Sequence, residues 1–227
     1  MADKRLYTLH GWVTIMEVTW FGHASVRIVT KGGVAIYVDP YAGEDAWYDL
    51  PADVVLVTHG HYDHLKAALL RHIVVDGTVV MGTQAIGAQY HGAHPVWPGE
   101  THEVRGIRIR VIDAYNINKN YHPKGEGVGY VLEFDGTSLY IAGDTDFIPE
   151  MRKFRTDVLL LPIGGTYTMT AKEAAQVVLG MAPKVAIPIH WGSVVGTVDD
   201  AEMFKEIVDT AGQTAVHIMH ANQTITL

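Results

Sequence analysis

The sequence predicts one α/β domain in which two mixed sheets pack face to face and helices cover their outer sides. Three observations carry that expectation. Short β-rich runs come first and in pairs, while helical patterns are interspersed later. Two late segments, DVLLLPIGG (157–165) and KVAIPIHWG (184–192), repeat one scheme, an apolar strand running into a polar, Gly-containing loop. Finally, 48% of the 227 residues are hydrophobic and 19% charged, ordinary globular usage that supplies a sizeable core.

Regular patterning starts at MEVTWFGHASVRIV, residue 16 onward. Residues 1–15 therefore read as an N-terminal extension, either an added edge strand or a mobile segment, and 16–227 as a single domain. Strands are expected over EVTWF, SVRIV and VAIYVDP, because GHA and KGG between them are turn chemistry. DVVLVT and GTVVMG are continuous apolar runs of the kind a buried strand shows. GIRIRVIDAY alternates in its first half, as a half-exposed strand does, and GYVLEFDGTSLYIAGD is a hairpin turning at Asp135-Gly136. Four helices are expected, over HLKAALLRHI, TQAIGAQYH, TAKEAAQVVLGM and DDAEMFKEIVDTAG. The third opens with Thr170 and Glu173 in capping-box spacing, and the fourth starts at the Asp199-Asp200 pair and stops at Gly212.

Composition also excludes functions. The formal net charge is −8 with no dense Lys/Arg stretch, so a nucleic-acid binder is not expected. An anionic substrate stays open, since bound metal ions can supply positive charge locally. No run approaches the roughly 18 apolar residues of a membrane span, and the N-terminal stretch lacks the apolar core of a secretory signal. Cysteine is absent, which removes disulfides and thiolate metal sites alike. A cytoplasmic location is the default expectation and a small molecule the expected partner; oligomeric state is not specified.

The 13 histidines are the unusual feature. Four ligand-type side chains, His59, His61, Asp63 and His64, fall within six residues of VTHGHYDHL, directly after the buried-looking run VVLV. In an extended segment His59 and His61 share a face. Asp63 and His64 come where the helix HLKAALL is expected to begin, and the turn can bring them back to the same point. Imidazole with carboxylate suits zinc, iron or manganese, and the lack of thiolate argues against a closed structural zinc site. His72, His91, His94, His102, His217 and His220 have no such company and read as ordinary.

This motif and its surroundings resemble the metallo-β-lactamase superfamily over nearly the whole chain from Met16. The resemblance is to the branch with uncharacterised metal-dependent hydrolases, ascorbate-phosphate lactonases and N-acyl-phosphatidylethanolamine phospholipase D. It implies the four-layer αβ/βα sandwich. His59, His61, Asp63 and His64 match the signature; Asp144 in AGDTD matches the carboxylate that bridges two metals, and His190 in PIHWG the last His ligand. WFGHASV and PIGGTYTM are further features of the branch. Asp39 in VDP is expected to orient His61 or His64 by accepting a ring N–H, and His23 to support the floor of the site. The sequence departs from the pattern at Asn116, where most of the superfamily has a third His on the first metal. The neighbouring loop offers His122, beside Pro123, Gly125 and Gly127, and the expectation is that His122 supplies that imidazole with Asn116 hydrogen-bonded nearby.

The resemblance thus implies a hydrolase with two divalent metal ions, zinc foremost and manganese or iron as alternatives. Metal-bound hydroxide would cleave a phosphodiester, lactone or related ester. Asp63 and His190 are the candidate catalytic side chains, Asp63 to orient the nucleophile or take its proton, and Tyr167 and Thr168 are expected at the substrate mouth. Two other readings stand beside it. One is a non-catalytic metal-dependent binding or sensing protein, which the intact ligand set argues against and the Asn116 departure keeps open. The other is a di-iron redox enzyme, which His61 argues against, because that branch has Glu there.

Overall fold

The computed structural model describes residues 16–227; the expected N-terminal extension, 1–15, lies outside the described residues. Two seven-stranded mixed sheets form the body. The first contains β1 (Met16–Gly22), β2 (Ser25–Thr30), β3 (Ala35–Val38), β4 (Ala52–Val57), β5 (Val74–Gly82), β6 (Ala93–Pro95) and β14 (Gln223–Thr226), in the order β14-β1-β2-β3-β4-β5-β6. The second contains β7 (Thr101–Val104), β8 (Ile107–Ala114), β9 (Gly127–Phe134), β10 (Thr137–Ile141), β11 (Val158–Pro162), β12 (Val185–Ile189) and β13 (Ala215–Val216), in the order β13-β12-β11-β10-β9-β8-β7.

The residue pattern explains the layers. On β3 and β4, Ile36, Val38, Val54 and Leu56 face the second sheet and join Ile109, Val111, Tyr130, Leu132, Leu139 and Ile141 in the inter-sheet core. Their alternate neighbours Tyr37, Val55 and Val57 face outward, onto α1 (Ala67–Ile73) and α2 (Gln84–Gln89), with Leu69, Leu70, Ile73 and Ile86. That period of two is the strand signature, here apolar on both faces because both are covered. On the far side, α3 (Ala171–Met181) buries Ala171, Ala174, Ala175, Val178 and Met181, one helical face, and packs beside α4 (Val198–Ala211). Full burial of a side chain the size of Val or Leu stabilises by about 1.5–3 kcal/mol, so this paired core dominates the fold.

Local chemistry sets the element ends. Thr170 accepts from the Glu173 amide while Glu173 reaches back to Thr170, the expected capping box. Helix α4 begins one residue before the Asp pair: Thr197 caps it through a reciprocal box with Asp200, and it ends at left-handed Gly212. Asp135 and Gly136 both have positive φ (50° and 76°), as a two-residue turn matched to strand twist requires.

The expectation for HLKAALLRHI needs a correction. The helix starts only at Ala67, and Asp63 and His64 lie in the turn before it, where the His64 amide donates to the His61 carbonyl. His64 is fully buried against Asp39, which a helix launched at residue 64 would have turned away.

A topological repeat also emerges that the residues do not advertise. In each sheet, four strands pair antiparallel (β14-β1-β2-β3 and β7-β8-β9-β10) and then three further strands add in parallel (β4-β5-β6 and β11-β12-β13). Asp39 follows β3 and Asp144 follows β10, equivalent positions in the two halves. The carboxyl ends of the parallel strands of both sheets thus open at one rim, the place where α/β sheets bind ligands.

Candidate metal centre

The site is assembled from strand ends. Asp39 leaves β3 with φ 45°, a left-handed conformation that is uncommon for a non-glycine residue. Its side chain accepts three hydrogen bonds, from the Thr58 amide at 2.7 Å, the Thr58 hydroxyl at 2.7 Å and His64 Nδ1 at 2.7 Å. A carboxylate only accepts, so His64 Nδ1 carries the hydrogen and its Nε2 is turned into the site. The Thr58 hydroxyl also lies 3.0 Å from His59 Nδ1. Of Asp39's two expected partners, the structure therefore puts His64 against it. His23 and His190 share the left-handed conformation, with φ 49° and 58°. The His190 amide donates to the His23 carbonyl at 2.7 Å, and the two rings sit 3.9 Å apart. Such strain, of order 1–3 kcal/mol at each residue, gathers where side chains must be aimed.

Asp144 is the centre. Gly143 before it has φ 67°, and a Cβ there would lie 2.6 Å from the Val128 carbonyl, so only glycine lets the chain deliver Asp144 this closely. Asp144 Oδ2 lies 3.2 Å from His122 Nε2 and 3.0 Å from His190 Nε2, and Oδ1 lies 3.4 Å from His64 Nε2. The ligand atoms of His59, His61 and His122 converge within 4.8 Å of one another, as do those of His23, Asp63, His64 and His190, and those of His59, His64 and Asp144. All seven residues expected as ligands are in these groups, and His23 joins them through Nε2, 3.1 Å from Asp63 Oδ2.

Asn116 and His122 are joined directly. The Asn116 amide donates to the His122 carbonyl at 2.8 Å, and Asn116 Oδ1 accepts from the His122 amide at 3.0 Å. His122 Nδ1 faces two acceptors, Asn116 Oδ1 and the Tyr167 carbonyl, each at 3.2 Å, so it carries the hydrogen and Nε2 is free toward Asp144. Asn116 Nδ2 donates in turn to Asp146 Oδ1 and the Tyr167 carbonyl. Lys119 holds the same knot, donating to Asp146 Oδ1 and the Thr168 carbonyl.

The electrostatics match this arrangement. Burial opposes ionisation of Asp144, but His190, His64 and His122 outweigh it and hold the carboxyl well below its ordinary pKa. Burial likewise opposes a charged His64, yet Asp144 and Asp39 prevail and raise it. Burial, reinforced by His64, pushes His59 well below its usual value, and burial with His122 lowers His61. For Asp63 the hydrogen bond from His23 and the proximity of His64 overcome burial, and its carboxyl is depressed.

Metal fits this donor set. His64 Nε2, Asp144 Oδ1 and both ring nitrogens of His190 are buried with no hydrogen-bond partner, although some lie within 3.4 Å of one another. A buried polar atom left unpaired costs about 1–3 kcal/mol, and coordination removes that cost. Imidazoles and carboxylates without thiolates are the donors zinc, manganese and iron accept in open sites.

The comparisons with known proteins agree with the geometry. The family model of the beta-lactamase superfamily domain matches residues 17–190. The chain belongs to the metallo-β-lactamase superfamily. It is 33% identical to a UPF0173 metal-dependent hydrolase of Methanoregula boonei over 92% of this chain and 97% of that protein. A UPF0173 metal-dependent hydrolase of Methanopyrus kandleri is 34% identical over 87% of this chain and 93% of its own. The structure of a metallo hydrolase from Ignicoccus hospitalis superposes with a TM-score of 0.79 at 27% identity, covering 93% of this chain and 98% of that one. Family, relatives and fold together make this chain a metal-dependent hydrolase, and the four-layer sandwich is the superfamily's fold.

One expected site residue needs correcting. Thr168 is fully buried and its carbonyl is held by Lys119, so its side chain does not face the substrate mouth; Tyr167 does, half-exposed beside His61, Asp63 and Asp144. The sequence reading missed Thr58, which sits between Asp39, His59 and His64, and Tyr121, which stands at the mouth. Adjacency to His59 and His122 was the available signal for both. Of the histidines judged ordinary, none joins a ligand group among the described residues.

Proposed function

We propose that residues 16–227 form one hydrolase domain whose cluster holds two divalent metal ions, zinc foremost, and cleaves an ester-type bond: a phosphodiester, a lactone or a related ester. His59, His61 and His122 would hold one ion, and Asp63, His64 and His190 the other, with Asp144 between them. The observation that carries this reading is the position of Asp144, whose Oδ2 lies 3.2 Å from His122 Nε2 and 3.0 Å from His190 Nε2, one candidate ligand of each ion, while Oδ1 lies 3.4 Å from His64 Nε2. Bound there, the ions would supply a nucleophile at neutral pH and positive charge for the developing oxyanion.

The chain's own groups do the rest. Asp39 and the Asn116 carboxamide fix the tautomers of His64 and His122, so each presents Nε2 inward. Asp63, kept ionised by His23, accepts a hydrogen bond from the attacking water and orients it beside the substrate. The Tyr62, Tyr121 and Tyr167 rings wall the opening and limit solvent around the reacting bond. The test is a screen of zinc- and manganese-loaded protein over phosphodiesters, lactones and thioesters. Chelator-sensitive turnover of one class is expected; a fully loaded protein inert toward all of them would overturn the reading.

A further inference from the structure

Two clefts flank the cluster, and their walls bear on what the substrate is. One, of about 370 Å³, lies beside His59, His61 and His122 and is bounded by Ala85, Gly60, Gly125 and Gly127. The other, of about 220 Å³, lies over Asp63 and Asp144 and is bounded by Tyr62, Tyr167 and Val194. They share His61, Tyr121 and His122, so the two clefts meet at these residues and Tyr121 lines both. The rim is aromatic and open: Tyr62 is 72% and Tyr121 50% exposed, and Tyr121 stands edge-on to Tyr167 with ring centroids 4.7 Å apart.

Among the described residues, no lysine or arginine lines either cleft, while Glu126 lines the larger one. Lys119 and Lys124, carried by the same loop as Tyr121, are committed elsewhere: Lys119 to Asp146 and the Thr168 carbonyl, Lys124 to Asp113 and Glu150. Bound divalent ions do not change the balance, because the carboxylates of Asp39, Asp63, Asp144 and Glu126 offset the charge of two of them. A site that recognises a phosphate normally adds arginine or lysine donors to its metals; this one adds tyrosine faces and glycine backbone.

Resting on the hydrolase reading above, we infer that the substrate is an uncharged acyl compound, an ester or amide, with an apolar or aromatic arm in each cleft. Tyr121 is the residue that sets this preference, by packing against both arms. Water adds across the acyl bond, giving a carboxylic acid from one arm and an alcohol, phenol or amine from the other.

Two compounds with the same leaving group and two aromatic arms isolate the charge: p-nitrophenyl phenylacetate, which is neutral, and bis-p-nitrophenyl phosphate, which is an anion. Metal-loaded protein should show a KM for the neutral ester at least about tenfold below that for the anion. Tyr121→Ala should raise the neutral ester's KM about tenfold, the size of a lost aromatic contact. Glu126→Lys should shift the ratio of the two KM values about fivefold toward the anion, as two units of charge several ångströms away in water would. A lower KM for the phosphodiester would overturn the inference and leave the hydrolase reading standing. If loaded protein turns over neither compound, the wider screen over lactones and thioesters decides the hydrolase reading. The cleft is then judged by saturation-transfer NMR with N-phenylacetamide: binding lost in Tyr121→Ala supports the inference, and no binding overturns it.

Discussion

Replacing His122 and Asn116 one at a time separates a ligand from the group that aims it. Asn116 Oδ1 accepts from the His122 amide and ring, and its Nδ2 donates to Asp146 and the Tyr167 carbonyl. Asn116→Ala leaves the imidazole in place but loosens it. Loss of such an orienting partner costs about 10–100-fold in metal affinity, or about 1.4–2.8 kcal/mol. It also strands the His122 amide, for a further stability cost of about 1–3 kcal/mol if water does not reach it. His122→Ala removes a donor nitrogen from the His59, His61 and His122 group, leaving two imidazoles there. The expected ranking is a loss at that site at least about tenfold larger for His122→Ala than for Asn116→Ala. Competition against a fluorescent zinc chelator measures it, with thermal melts of the metal-free variants to show that both fold. A larger affinity loss in Asn116→Ala than in a folded His122→Ala would refute the assignment.

Other expectations follow from the same geometry. Asp144→Asn should weaken both ions together and abolish hydrolysis while the chain stays folded; two tight ions and full activity would make Asp144 a turn residue only. Metal that binds the native site alone stabilises it by about 4 kcal/mol when free metal exceeds Kd a thousandfold, so chelation should lower Tm by about 8–16 °C for a chain of this length; an unchanged Tm would count against a preformed site. Gly143→Ala places a Cβ against the Val128 carbonyl at a positive φ and should lower Tm or prevent soluble expression, which differential scanning calorimetry on the soluble fraction tests. Burial opposes ionisation of Asp157, but Lys184 and Ser138 outweigh it and hold its pKa below the ordinary value. Its contribution is therefore complete above about pH 3.9 and is lost as pH falls through the folded value. Urea unfolding should show wild type losing its advantage over Asp157→Asn only in that acid range; an advantage that grows on acidification would reverse the sign.

How far the sequence revealed this differs from element to element. The central strands were legible because β3, β4, β11 and β12 are covered on both faces and are apolar but for Asp53 near the start of β4. The edge strands β6, β7, β13 and β14 were not, since they are short and largely exposed and form only because a neighbour offers an open edge. Thr197 escaped notice as a cap because Asp200 stands where a capping box more often has Glu. At the site, the His59–His64 run stood out by itself, and Asp144 and His190 through family resemblance. The burial of Thr168, the Lys119–Asp146 knot and the cationless clefts depend on contacts between segments dozens of residues apart, and no local pattern records them.

Anomalous diffraction at the metal edge from crystals of zinc-loaded protein tests directly whether two ions share Asp144. It should reveal two peaks a few ångströms apart on either side of the Asp144 carboxylate, one among His59, His61 and His122 and the other among Asp63, His64 and His190. No peak at Asp144, with zinc found only on exposed histidines such as His91 and His94, would contradict it.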